Sequence, residues 1–207
     1  MTAAEIQQEV VSAGLAPLSE DEAMKFTVYL ALLLKWNSKL NLTAVREPAA
    51  IVRRHFLECI QCARMIPRVA TLLDFGSGAG LPGIPVAIMC PKIWVTLGES
   101  QAKKASFLRE TVRTLGLKAE VYDGRIESMP AEKQFDAVTL RAVDKMDDAC
   151  SLASECLAAG GKMIVFATTG TEAGIRQATA SISWQESIPL LGSDMSFLLV
   201  GIKQAGA

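Results

Sequence analysis

Histidine is almost missing from this chain: its 207 residues contain one, His55. Serine–histidine catalysis and imidazole-based metal sites therefore have little material. Cysteine supplies no framework either. The five cysteines are odd in number and scattered, which suits reduced thiols rather than disulfides. Only Cys59 and Cys62 have metal-like spacing, and no second pair completes a tetrahedral ligand set. They read as small buried residues of a helix, and no metal is expected. Nowhere is there an apolar run of about 18 residues, so no transmembrane helix is expected. The N-terminal stretch MTAAEIQQEVVSAG has acids where a signal peptide would have a basic start, and no apolar centre. A cytoplasmic protein is the expectation. Repeats and low-complexity tracts are also absent.

What is present is a large apolar fraction and a segregated charge. Half of the residues are hydrophobic, ample for a full core, and the length suits one domain or one domain with an extension. The net charge of −1 hides a basic middle: residues 1–30 carry net −4, 31–125 net +7, and 126–207 net −4. Such a distribution can give one positive face for a polyanion, or simply a solvated one.

The chain is organised around Thr71 to Gly83, TLLDFGSGAGLPG. A short apolar run leads into Asp74 and then into glycines at 76, 78 and 80. This reads as a buried parallel strand turning into a loop where a ligand approaches the backbone closely. Residues 84–89 open a helix whose N–H groups face that ligand. Two registers compete. Gly78-x-Gly80-x-x-Gly83, with Glu99 downstream, fits the dinucleotide fingerprint. Asp74-x-Gly76-x-Gly78-x-Gly80 resembles the first motif of Rossmann-like S-adenosylmethionine (AdoMet) methyltransferases, in which the acid lies near the methionine part of the cofactor.

Before this loop the pattern is helical. Residues 2–13 space Ile6, Val10 and Val11 on one face. Ser19 and Glu22 form a capping box for a helix expected to run to about Asn37. NSKLNLT (37–43) reads as a polar turn, Pro48 opens a third helix, and Pro67 ends it near Ile66. A helical cap over 1–67 is thus expected to precede an α/β domain over 68–207. Strands are expected at 71–75, 94–99, 119–122, 135–140 and 162–167. Helices are expected between them, over 101–115 and 147–157, and a last one near 171–180. Such alternation predicts a parallel sheet wound on both faces. Residues 184–190 and 197–202 then form two strands joined by a loop so short that they must run antiparallel. Parallel strands ending in an antiparallel hairpin resemble the class I AdoMet methyltransferase fold, whereas NAD-binding domains usually keep the sixth strand parallel.

Several segments together resemble one family: the bacterial guanine-N7 methyltransferases of small-subunit (16S) ribosomal RNA, or glucose-inhibited division protein B. They are WNSKLNLTAVRE (36–47), RRHFLE (53–58), LLDFGSGAGLPGIPVAI (72–88), ES-x-x-KKASFLRE (99–110), GRIES (124–128) and FDAVTLRAV (135–143). One departure is Glu58-Cys59, where the family usually has Asp-Ser. The resemblance implies AdoMet as cofactor and 16S rRNA as partner, within the small ribosomal subunit or an assembly intermediate. The cofactor-binding residues it implies are Asp74, Gly76, Gly78, Leu81, Glu99, Ile126, Glu127 and Arg141. Glu99, ending the second strand, can accept two ribose hydrogen bonds; its other reading is an acid at a helix N-terminus. Arg141 ends the fourth strand beside the expected methyl site, where it could hold the cofactor's carboxylate or a target phosphate.

The residues also narrow the acceptor. No Asn-Pro-Pro-Tyr or Asp-Pro-Pro-Tyr follows the fourth strand, which disfavours exocyclic amino groups, and no Pro-Cys pair supplies a nucleophile for cytosine C5. Guanine N7 has a free lone pair and no proton to remove, so positioning alone suffices and no catalytic base is expected. Lys35, Lys39, Arg46, Arg53 and Arg54, in or near the cap, are the expected RNA contacts. His55 could join them or pack between helices, and Trp36 could stack on a base or belong to the core. A small-molecule AdoMet methyltransferase and a non-catalytic nucleotide-binding regulator remain the alternatives.

Overall fold

The computed structural model describes residues 1–66, 69–185, 187–192 and 195–204. Pro67, expected to end the third helix, and the expected boundary at 67–68 lie outside the described residues.

Three helical stretches come first. Helix α1 (Ala3–Ser12) and helix α2 (Glu20–Leu40) each start on a reciprocal capping box, Thr2 with Glu5 and Ser19 with Glu22. Helix α2 runs three residues beyond the expected end, because Asn37 turns inward instead of breaking it. The Asn37 side chain is buried and bonds the backbone of Thr43 in both directions, at 2.9 and 3.0 Å. The helix stops at Asn41, whose left-handed φ of 48° asparagine tolerates. A third stretch opens with Pro48 at its first turn and continues as α3 (Pro48–Ile51), a π-helical turn (Val52–Phe56) and α4 (Leu57–Met65).

The sheet follows the expected alternation. It comprises β1 (Thr71–Phe75), β2 (Trp94–Glu99), β3 (Ala119–Asp123), β4 (Phe135–Arg141), β5 (Leu157–Thr168), β6 (Ile182–Trp184), β7 (Ile188–Pro189) and β8 (Ser196–Lys203). Between and beyond the parallel strands run α5 (Gly83–Met89), α6 (Ala102–Leu115), α7 (Met146–Glu155) and α8 (Glu172–Ala178). The order is β3-β2-β1-β4-β5-β8-β6, with β7 also on β8. Strands β1 to β5 are parallel, and β8 runs antiparallel to β5, β6 and β7. Two details differ from expectation. The strand expected over 184–190 is two short pieces, both paired to β8. Strand β5 starts five residues early, because Leu157 pairs with Phe135 across a register shift before the regular ladder begins at Lys162.

The helices at the N-terminus and one side of the sheet share a core. Ile6, Phe26, Leu30, Phe56 and Ile60 pack in one cluster with Leu72, Ile84, Leu97 and Leu108. The Tyr29 ring stacks on Phe56 at 5.1 Å, and its hydroxyl donates to the Ala79 carbonyl of the glycine loop at 2.7 Å. A second cluster joins Leu73, Val138, Leu140, Val165 and Leu199 with α7 and α8.

Candidate active site

The sheet order reverses between β1 and β4, and open α/β sheets bind ligands beyond the strand ends at such a switch point. The glycine loop leaves β1 there. Gly76, Gly78 and Gly80 all have positive φ, at 69°, 53° and 85°. Ser77 ties the loop to β1 and β2. Ser77 N–H donates to the Gly98 carbonyl at 2.8 Å, and Ser77 Oγ donates to the Asp74 carbonyl at 2.9 Å.

Asp74, expected near the methionine end of a cofactor, has its carboxylate committed inside the protein. Thr139 Oγ1 donates to one oxygen at 2.8 Å and Gly83 N–H to the other at 3.2 Å. The acid therefore ties the start of α5 to β4 beneath the loop. Burial raises its pKa to about 6, against the lowering effect of those hydrogen bonds.

Glu99 ends β2 and is almost wholly buried. Gly78 N–H donates to one oxygen at 2.9 Å and Gln101 N–H, at the start of α6, to the other at 2.8 Å. The contact with Gln101 fits the reading of Glu99 as an acid at a helix N-terminus. Each oxygen keeps a second lone pair for a ligand hydroxyl. Glu99 opens onto a cleft of about 290 Å³ lined also by Phe75, Gly76, Gly98, Ser100, Gly124, Arg125, Ile126, Glu127 and Val143. The structure thus brings Gly76, Glu99, Ile126 and Glu127 to one place. A Cβ at Gly98 would lie 2.5 Å from Ile126 Cδ1 and would push that side chain aside. Leu81 does not line this cleft; it is buried in the core shared with the cap.

Arg141, at the end of β4, lies on a second cleft, of about 360 Å³, with Glu58, Ala142, Val143, Met146, Phe166, Ala167, Thr168, Thr171, Leu190 and Ser196. The two clefts meet at Val143. The guanidinium reaches the third helical stretch. It pairs with Glu58 and donates to the Arg54 carbonyl at 3.2 Å, to His55 Nδ1 at 3.1 Å and to Cys59 Sγ at 3.3 Å. It also lies over the Phe166 ring, 5.1 Å from the centroid. Because Arg141 can only donate, His55 Nδ1 accepts, and its Nε2–H donates to Thr43 Oγ1 at 2.9 Å. Burial, with the Arg141 charge beside it, lowers the His55 pKa to about 4, so the ring is neutral at pH 7. Burial likewise pushes the Cys59 thiol up to about 12, which leaves it inert.

Glu58 went unrecognised in the sequence as a site residue. Its contact with Arg141 spans 83 residues, and the departure from Asp-Ser was the one local signal. Among the expected RNA contacts, Lys39, Arg46 and Arg54 are exposed. Lys35 is paired with Glu110 at 3.0 Å, and Arg53 stands 3.5 Å from Glu9. Trp36 packs on Phe107 at 6.0 Å and donates to Glu110 at 3.1 Å, which fits its packing role. Among the described residues, no cluster of three or more His, Cys, Asp or Glu side chains could hold a metal ion, and no helix is long and apolar enough to cross a membrane.

The family model for GidB, rRNA small subunit methyltransferase G, matches residues 22–194. This chain belongs to the GidB family. A relative from Stenotrophomonas maltophilia, ribosomal RNA small subunit methyltransferase G, is 40% identical over 182 residues, 86% of this chain and 84% of its own. One from Xylella fastidiosa with the same name is 42% identical over 154 residues, 73% of this chain and 72% of its own. The solved structures place the GidB chain in the class I methyltransferase fold. A TehB-like SAM-dependent methyltransferase from Corynebacterium glutamicum superposes with a TM-score of 0.54 at 16% identity, over 71% of this chain and 87% of its own. A 16S rRNA methyltransferase of T. thermophilus, solved with AdoMet and guanosine, gives 0.55 at 16% identity, over 73% and 40%.

Proposed function

We propose that this GidB-family protein methylates N7 of a guanine in 16S ribosomal RNA, with AdoMet as methyl donor, in the cytoplasm. The observation that supports this reading is the pair of clefts that meet at Val143, one lined by the buried Glu99 carboxylate and the other by Glu58 and Arg141. The first cleft suits AdoMet on its own chemistry: glycines 76 and 98 keep Cβ atoms off its floor, Glu99 offers acceptors, and Ile126 and Val143 give apolar walls. AdoMet supplies an electrophilic methyl group on a sulfonium. Glu99 would take the ribose hydroxyls, Ile126 and Glu127 the adenine end, and Gly76 and Gly78 the close backbone approach. Asp74 acts from beneath, by holding the loop, and Leu81 by anchoring it to the core. Arg141 has five N–H donors and four acceptors among the described residues, so it retains capacity for the cofactor's carboxylate.

Transfer of labelled methyl from AdoMet to small subunits from a strain lacking this protein, followed by identification of the labelled nucleotide, tests the proposal. Label at N7-methylguanine is expected. The same experiment with naked 16S rRNA and with assembly intermediates decides which form is the substrate.

Replacing Glu99 by alanine should weaken AdoMet binding by about 1.5–3 kcal/mol, the scale for a hydrogen bond to a charged group. Glutamine should not restore it, since its amide would set a donor against the N–H of Gly78 or Gln101. Calorimetric titration reads both variants; unchanged affinity in alanine removes Glu99 from the ribose, and a micromolar NAD complex would favour the dinucleotide register.

The RNA side rests on the exposed cations between residues 35 and 54. Changing Arg53 and Arg54 together to alanine should lower RNA affinity and flatten the log–log salt slope by about 1.4–2 units, as two fewer counterions are displaced. AdoMet affinity should stay the same, because Arg141 contacts the Arg54 backbone and not its side chain. Binding measured from low to high salt in both proteins decides; an unaltered slope places the phosphate contacts elsewhere.

A further inference from the structure

Glu58 holds an unusual position. Its carboxylate is brought from the N-terminal helices onto the second cleft, which Val143, Phe166 and Leu190 also line. One oxygen, Oε2, is paired with Arg141, and both side chains are about one-seventh exposed, at 14% and 13%. The other oxygen, Oε1, bonds to no described residue, yet no buried polar side-chain atom among the described residues lacks a partner. Oε1 is therefore not a buried atom, and Glu58 lines the cleft, which leaves this oxygen available to a ligand there. The cleft of about 360 Å³ thus carries a carboxylate with one oxygen bonded to no described residue, among both apolar and polar lining side chains.

Resting on the N7-methylation reading, we propose that Glu58 selects guanine at the target position, its carboxylate accepting hydrogen bonds from the N1–H and the exocyclic amino group. The donor pattern explains the selectivity. Guanine alone among the four bases presents two adjacent donors on that edge, one in the ring and one outside it. Adenine and cytosine present a ring-nitrogen lone pair where guanine has N1–H, and a lone pair against a carboxylate is repelled. Uracil has one donor between two acceptors. N7 lies on the opposite side of the purine from this edge, so an acceptor there leaves N7 unblocked. Arg141 fixes the carboxylate from behind through Oε2 and favours its charged form against the raising effect of burial. Glu58 therefore acts on specificity through direct contact, while Arg141, His55 and the Arg54 carbonyl hold it in place.

The test uses small subunits reconstituted with ligated 16S rRNA carrying either guanine or inosine at the target position. Inosine keeps N7 and N1–H and lacks only the amino group. The wild-type protein should methylate guanine RNA with kcat/KM on the order of tenfold to a hundredfold above inosine RNA. In Glu58→Leu that preference should collapse to about one, and in Glu58→Asp, which keeps a carboxylate, it should return even if the rate is lower. A residue that merely held Arg141 would change both substrates equally and leave the ratio alone. Equal use of guanine and inosine by the wild type, or a preference retained in Glu58→Leu, overturns the proposal. The wild-type comparison decides even if the leucine variant fails to fold. Absence of any methyl transfer by the wild type to guanine RNA would instead overturn the methyltransferase reading beneath it.

Discussion

RNA carrying 7-deazaguanine at the target position will bind and accept no methyl group. The substitution replaces one ring nitrogen by C–H and leaves the N1–H and amino edge intact, so binding should change little while the accepting lone pair is gone. The structure supports a step that needs no base. His55 is neutral, with both ring nitrogens committed to Thr43 and Arg141. The Cys59 thiol is held protonated by burial. His55→Ala should then cost, in single turnover with both ligands bound, far less than the roughly 100- to 10,000-fold that a general base contributes. The chemical step should be flat from pH 7 upward. Asp74 can produce a fall at lower pH, because it gains a proton near pH 6 beneath the glycine loop. Methyl transfer to the 7-deaza RNA, or a His55 variant that binds both ligands and is chemically dead, would overturn this mechanism.

The largest effect on stability is expected at Gly80. Its φ of 85° is a conformation that side chains rarely adopt, and a Cβ there would lie 2.6 Å from Ile84 Cγ1 and 3.2 Å from Leu108 Cδ2 and the Tyr29 hydroxyl. Left-handed backbone costs about 1–2 kcal/mol for a residue with a side chain. Overpacking a filled core adds about 1–3 kcal/mol. Gly80→Ala should therefore destabilise the protein by about 2–5 kcal/mol, or roughly 4–20 °C in Tm for a chain of this size. Gly14 separates the two causes. It has a similar φ of 78°, but a Cβ there meets nothing within 4 Å. Gly14→Ala should show the backbone cost alone. Thermal unfolding of both variants checks this; equal losses would mean that the contacts around Gly80 yield without cost.

How far the sequence could be read follows the range of the interactions. Strands β1 and β2 have the expected bounds, because short apolar runs flanked by glycine or charge mark their own ends. The capping box at Ser19 likewise signals itself within four residues. The glycine loop and Glu99 were legible since their spacing is local to one strand–helix unit. Glu58 was not, because what makes it part of the site is Arg141, which a strand far along the chain delivers to it. The π-helical turn was invisible for another reason. A single wider turn leaves the apolar spacing on either side almost unchanged, so the stretch from Pro48 to Ile66 still reads as one helix. Strand β5 began earlier than the pattern indicated because Gly160 and Gly161 look like a turn, while here they accommodate the register shift.

The hydrogen bonds of Gln61 carry a consequence for the order in which the molecule is completed. Its amide donates to the Pro189 carbonyl at 2.8 Å and accepts from Leu191 N–H at 3.0 Å, partners 128 and 130 residues further on. On a ribosome adding roughly 5–20 residues per second, α4 waits on the order of ten seconds for them. Phe26, Tyr29 and Phe56 can cluster early, but the face of α2 and α4 that meets the sheet has no cover until β1, α5 and α6 emerge. Helix α4 thus acquires its full set of contacts only after residues 189–191 have emerged.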